Sequence, residues 1–161
     1  MKQRIPEFDE FIYENKKTEK VYKSKLDNAF TVTIIYPASE LYSQIKQIIL
    51  DDGIAVTNMA QKAILMDGGK IEEQHLSKDH VKFIEMHEIA HSYLEHQGTF
   101  GILEQEKEAD FAAYLLLVKK NMKKAANLVI DYFDTRHGEN FDDFKERSGE
   151  HVKDRLKKYL K

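Results

Sequence analysis

The chain has 161 residues, 42% of them hydrophobic, with 25 Lys and Arg against 28 Asp and Glu for a net charge of −3. That length suits one core rather than two, and the interspersed charges, with no long basic block, argue against nucleic acid as a partner. Cysteine is absent, which excludes disulfides and thiolate metal sites and leaves His and carboxylates as the only ligands for zinc.

Seven Gly and two Pro, with no repeat or low-complexity tract, lead to the expectation of a single domain over residues 1–161, with residues 1–28 a flexible or accessory N-terminal segment. No secretory signal pattern and no run of about 18 apolar residues is visible, so the expectation is a cytoplasmic protein without a membrane span. Residues 6–27 are charged and weakly patterned, with one short helix at 7–15 and then a loop. The run FTVTIIY at 30–36 is rich in β-branched and aromatic residues and stops at Pro37, as a strand does. Ser39 then caps a helix whose apolar positions are Leu41, Ile45, Ile48 and Ile49, with Gly53 as its C-terminal cap.

Short strands are expected at 54–56 and 63–66, the second followed by Asp67-Gly68-Gly69, which can supply positive φ angles for a turn. Ser77 or Asp79 opens the next helix, which carries Val81, Ile84, Ile89 and Leu94 on its apolar face and runs to Gly98. Further helices follow at about 103–119 and 121–134, and after a loop at 136–140 one or two helices close the chain. The expected class is α+β, helix-dominated, with a small sheet.

The helix before Gly98 contains His87-Glu88-Ile89-Ala90-His91. Two imidazoles four positions apart lie about 40° apart around a helix axis, so both can reach one ion. Glu88, offset by about 100° from His87, can face a zinc-bound water without being a ligand. Zinc brings the pKa of such a water down to about 7, and a carboxylate beside it takes the proton and passes it to the leaving amine. The chemistry is amide hydrolysis, with His87 and His91 as metal ligands and Glu88 as catalytic base. A third histidine ligand would need Gly at 94 and His at 97, where the chain has Leu94 and Gln97. The next helix instead offers Glu106, with Asp110 four residues later. In that pair the Glu can bind the metal while the Asp accepts the N–H of a ligating imidazole. Glu106 ranks first as third ligand and Glu108 second.

The stretch HEIAHSYLEHQGTFGILEQEKEADFAAYLLL resembles the gluzincin peptidases, most closely the ImmA/IrrE family, over roughly residues 63–118. The resemblance implies a zincin-like metallopeptidase domain with a small mixed sheet, whose edge strand, here 63–66, lies over the cleft and pairs with an extended protein or peptide substrate. The family's best-known members cleave repressor proteins, so a regulatory protein is the kind of substrate implied. Here Phe111 follows Asp110 directly where that family usually has one residue between, and Val118 stands where a Pro is common. A further likeness, to the HtpX and CAAX-prenyl-protease-like peptidases, rests on His151 with Arg155-Leu156 and implies His151 as a donor to the oxyanion. His96, near the helix end, is expected to be structural or cleft-lining, and ImmA/IrrE relatives often carry a His there. His75, His80 and His137 belong to no motif and are expected at the surface.

Two functions of different class therefore follow. One is a zinc metalloendopeptidase acting through Glu88. The other is a zinc-binding regulatory or interaction protein that keeps a zincin scaffold and cleaves little.

Overall fold

The computed structural model describes residues 17–49, 53–97 and 102–161. The helix expected at 7–15 lies outside them, and the helix expected to run to Gly98 ends at Tyr93. The architecture is mixed α+β and 58% helical, with one four-stranded sheet. Contacts divide the chain into two compact units, Met1–His75 and Leu76–Lys161.

The first unit holds strands β1 (Glu19–Lys23), β2 (Thr31–Ile35), β3 (Ala55–Asn58) and β4 (Ala63–Asp67) in the order β1-β2-β4-β3. The β2–β4 pair is parallel, with Val32 opposite Ile64 and Ile34 opposite Met66. All four of these side chains are buried on one face, as the period of two requires. Helix α1 (Tyr42–Ile48) covers the other face, where Ile45 and Ile49 pack with Ile35, Val56 and Leu65. Fully burying side chains of this size is worth about 1.5–3 kcal/mol each.

Four expectations are corrected here. Strand β4, expected at the sheet edge, lies between β2 and β3, and the edges are β1 and β3. Strand β1 falls where a loop was expected: its sequence EKVYK is exposed at most positions and shows no alternation, because a charged edge strand buries little. Helix α1 ends at Ile48, with Ile49 rather than Gly53 as its C-cap, in an extended conformation. Gly68 and Gly69 adopt no positive φ; they begin helix α2 (Gly68–Glu73). What requires glycine there is crowding. A Cβ on Gly68 would run into the Tyr36 ring and come within 2.9 Å of the Ile35 carbonyl, and one on Gly69 would run into the Tyr42 hydroxyl. Asp67, buried at the end of β4, caps α2 by accepting the Lys70 N–H at 3.1 Å and also accepts the Tyr42 O–H at 2.7 Å.

The second unit is helical: α3 (Lys78–Tyr93), α4 (Ile102–Lys119), α5 (Lys123–His137) and α6 (Phe141–Arg155), then a 3-10 turn at Lys157–Tyr159. Helix α4 is central and packs on α3, α5 and α6. Its Ala109, Ala112 and Ala113 are fully buried, as are Ala90 on α3 and Ala125 on α5, and these small side chains let the helix backbones approach closely. Beside them Phe111, Phe133, Phe141 and Phe144 form a ring cluster with neighbouring centroids at 5.5–5.7 Å. Ser77, rather than Asp79, caps α3 by accepting the His80 N–H, and Asn140 caps α6 through the N–H groups of Asp142 and Asp143. Gly138 ends α5 in the left-handed conformation at φ 66°. Among the described residues no helix is long and apolar enough to cross a membrane.

Candidate metal centre

Helix α3 is buried on more than its apolar stripe. Glu85, His87 and Glu88 are enclosed along with Phe83, Met86, Ile89 and Ala90. Polar side chains in such a place must be satisfied by partners or by an ion. His87 and His91, one turn apart, have ring centroids at 4.6 Å and planes at 90°, and their Nε2 atoms are 3.0 Å apart. Helix α4 brings Glu106 to the same point: its Oε2 lies 2.8 Å from His87 Nε2 and 3.0 Å from His91 Nε2. Ligand atoms of His87, Glu88 and His91 also lie within 4.8 Å of one another. Glu106 is thus the third member of a tight triangle of donor atoms, and Glu88 stands beside it.

The runner-up ligand, Glu108, is elsewhere. Its Oε1 accepts from His96 Nε2 at 2.8 Å and from Arg155 Nη1 at 3.0 Å. The α-helical period separates the two glutamates: two residues along a helix is about 200° around it, so when Glu106 faces His87 and His91, Glu108 cannot.

Asp110, one turn beyond Glu106, is fully buried and accepts the His87 Nδ1–H at 2.6 Å. A carboxylate only accepts, so the direction of this bond is set and the proton sits on Nδ1. Two residues that no sequence motif marks complete the surroundings of Asp110: Arg136 Nε donates to it at 3.0 Å and His137 Nε2 at 2.5 Å. Both come from the last turn of α5, where basic residues are ordinary helix-end chemistry, so local sequence gives no sign of their role. His137, expected at the surface, is buried.

The second imidazole has its own line of partners. His91 Nδ1 is 2.8 Å from His96 Nδ1, His96 leads to Glu108, and Arg155 also donates through Nη2 to the Leu94 carbonyl at 2.9 Å. His151, one turn before Arg155, is exposed, and among the described residues no hydrogen bond joins it to His87, His91 or Glu106. His80 is half-buried against the rings of Phe83 and Tyr132.

The electrostatics of the triangle favour a cation. Burial alone would drive His87 toward its neutral form, but the Asp110 and Glu106 carboxylates flanking it outweigh burial and raise its pKa to about 10. Burial would likewise raise the carboxyl of Glu106, yet the hydrogen bonds from His87 and His91 hold it far below the usual carboxylate range. Asp110 is depressed in the same way: burial opposes ionisation, and His87 and His137 overcome it. Two imidazoles and one carboxylate therefore converge on a point that favours positive charge, supplied by ring protons or by a metal ion in their place. A divalent cation satisfies all three inward atoms at once. Four-coordinate zinc, with bonds of roughly 2.0–2.2 Å, spaces its ligand atoms about 3.3 Å apart, a modest expansion of the observed 2.8–3.0 Å triangle. His87, Glu88 and His91 form a group able to hold a metal ion, and the donor set fits. No family model, curated protein or solved structure matches the chain.

Proposed function

We propose that the protein is a cytoplasmic zinc-dependent metalloendopeptidase of gluzincin type on a zincin-like scaffold, related to the ImmA/IrrE peptidases and acting on a protein or peptide substrate. One observation carries the reading: His87 Nε2, His91 Nε2 and Glu106 Oε2 meet within 2.8–3.0 Å of one another, with Glu88 buried alongside. His87, His91 and Glu106 would hold the zinc, leaving a position open as hydrolytic zinc sites do. Bound there, zinc supplies Lewis-acid chemistry, acidifying water and polarising a carbonyl.

The remaining work belongs to the chain's own groups. Glu88 accepts the proton of the attacking water and delivers it to the leaving nitrogen. The water oxygen forms the new bond to the carbonyl carbon, the C–N bond breaks, and with the second water proton also passing to the leaving nitrogen the products are a carboxylate and an ammonium. Asp110 keeps the proton of His87 on Nδ1 and so turns the Nε2 lone pair toward the centre.

The test pairs metal analysis with turnover. Purified protein is expected to carry about one zinc per chain, lost in a His87→Ala, His91→Ala double variant, while Glu88→Gln keeps the metal and loses peptide cleavage by about 10²-fold or more. Undiminished cleavage by Glu88→Gln sinks the mechanism. Metal bound without cleavage of any protein or peptide favours the regulatory, non-proteolytic reading.

A further inference from the structure

Helix α3 ends in an unusual way, and the ending delivers His96 to the metal centre. The Glu95 N–H bonds the Ser92 carbonyl at 3.1 Å and the His96 N–H bonds the His91 carbonyl at 3.0 Å. These are the paired bonds of a Schellman ending, with Leu94 as C-cap and Glu95 in the left-handed position at φ 56°. Glycine normally fills that position. A glutamate there costs on the order of 1 kcal/mol, and the turn it makes folds the chain back so that His96 lies against the ring of His91, with centroids at 5.0 Å. His96 is buried although it immediately follows the end of a helix.

The hydrogen bonds then run in one direction only. The Glu108 carboxylate, paired with Arg155, can only accept, so His96 must carry its proton on Nε2 to donate to it. Where His96 is neutral, that tautomer presents a bare Nδ1, which accepts from His91 Nδ1 at 2.8 Å. His91 is thereby left with its lone pair on Nε2, the atom that faces His87 and Glu106. The acceptor at the outer end fixes the Nε2 proton, and a neutral ring carries the order inward to His91.

We infer that His96 is a positioning residue for the metal centre: with Glu108 and Arg155 behind it, it fixes the tautomer and ring orientation of His91 so that Nε2 is presented to the metal. This rests on the metal-centre reading above. It assigns His91 a support separate from the Asp110 support of His87, reaching through α4 to Arg155 near the end of α6.

The experiment is titration of the metal-free full chain with cobalt(II), followed by its d–d absorption bands, with zinc affinity read by competition. The series is wild type, His96→Phe, His96→Asn and Glu108→Gln. His96→Phe fills the space without an acceptor and is expected to weaken cobalt and zinc binding by about 10–100-fold, as loss of a partner behind a ligating His does, and to shift the d–d bands. His96→Asn keeps an acceptor oxygen near the place of Nδ1 and is expected to recover most of the affinity. Glu108→Gln, at a half-buried site and nearly isosteric, gives an intermediate loss and serves if His96→Phe does not fold. Wild-type affinity and bands in a folded His96→Phe, or in Glu108→Gln where His96→Phe does not fold, overturn the relay while leaving the metal centre standing. A wild-type chain that binds no cobalt overturns the metal centre and the relay with it.

Discussion

Asp110 and His137, 27 residues apart in the chain, meet at 2.5 Å through Oδ2 and Nε2 in the interior of the helical unit. Among the described residues the bond leaves His137 Nδ1 buried without a partner, a cost of about 1–3 kcal/mol. An apolar residue would avoid that cost, so the histidine's contribution lies in what it does for Asp110. With His87, Arg136 and His137 all donating to it, Asp110 is the acceptor on which three cationic or polar groups depend. Asp110→Ala is expected to destabilise the fold by about 3–5 kcal/mol, because His87 and His137 are left buried and uncompensated. Urea unfolding measures it, and a loss under about 1 kcal/mol would show that the network is not what holds these helices together.

Metal removal should be visible in stability without any substrate. An ion that binds only the folded chain stabilises it by about 2.7 kcal/mol at a hundred times its dissociation constant. For a chain of this size that corresponds to a rise in melting temperature of about 5–10 °C. Chelator should remove the increment and zinc should restore it, with neither affecting the His87→Ala, His91→Ala variant. A melting temperature indifferent to chelator and zinc in the wild type would remove the metal from the fold's energetics.

Glu95 offers a substitution of the opposite sign. Its left-handed φ of 56° is one glycine adopts freely, and the Glu95 side chain is exposed. Glu95→Gly is expected to raise stability by about 0.5–1 kcal/mol by relieving that strain, the gain being reduced by glycine's greater freedom in the unfolded chain. Cobalt affinity should stay unchanged, because the turn and His96 are preserved. A destabilised variant would mean that the Glu95 side chain supports the ending in a way its backbone strain does not reveal.

The same residue explains why part of the molecule was legible and part was not. His87, Glu88, His91, Glu106 and Asp110 can be read from the chain because a helix turns fixed spacing into shared direction, and each of these residues acts with a neighbour one turn away. Arg136, His137 and Arg155 reach the site only because α5 and α6 pack on α4, and nothing in their local spacing records that. The end of α3 falls short of the expected Gly98 because the left-handed cap position holds a glutamate where the rule expects glycine. Strand β1 is invisible in the sequence for a related reason: a lone edge strand with exposed Glu19, Lys20, Val21 and Lys23 carries no burial pattern. Gly68 and Gly69 are ambiguous in the sequence because glycine answers two needs, positive φ and close approach, and only the packed Tyr36 and Tyr42 show which one applies.

Away from the candidate metal centre, acid should dissolve one particular link between α4 and α6. Arg147 donates to Glu104 at 2.8 and 3.0 Å and to Glu139 at 2.7 Å through each of two nitrogens, and Lys107 also reaches Glu139 at 2.9 Å. The hydrogen bonds from Arg147, with help from Lys107 and against a smaller effect of burial, lower the Glu139 pKa to about 2. An unfolded glutamate titrates near about 4.3. The folded value is the lower one, so the contribution is fully present above the unfolded pKa and is lost as pH falls from there through about 2. Because the cluster is partly solvated, the contribution should be no more than about 1 kcal/mol and should shrink in high salt. Glu139→Gln is therefore expected to lie below wild type in urea midpoint at pH 6, with the gap narrowing steadily between pH 5 and about 2.5. A gap independent of pH would assign the loss to packing or hydrogen bonding rather than to the charge of Glu139.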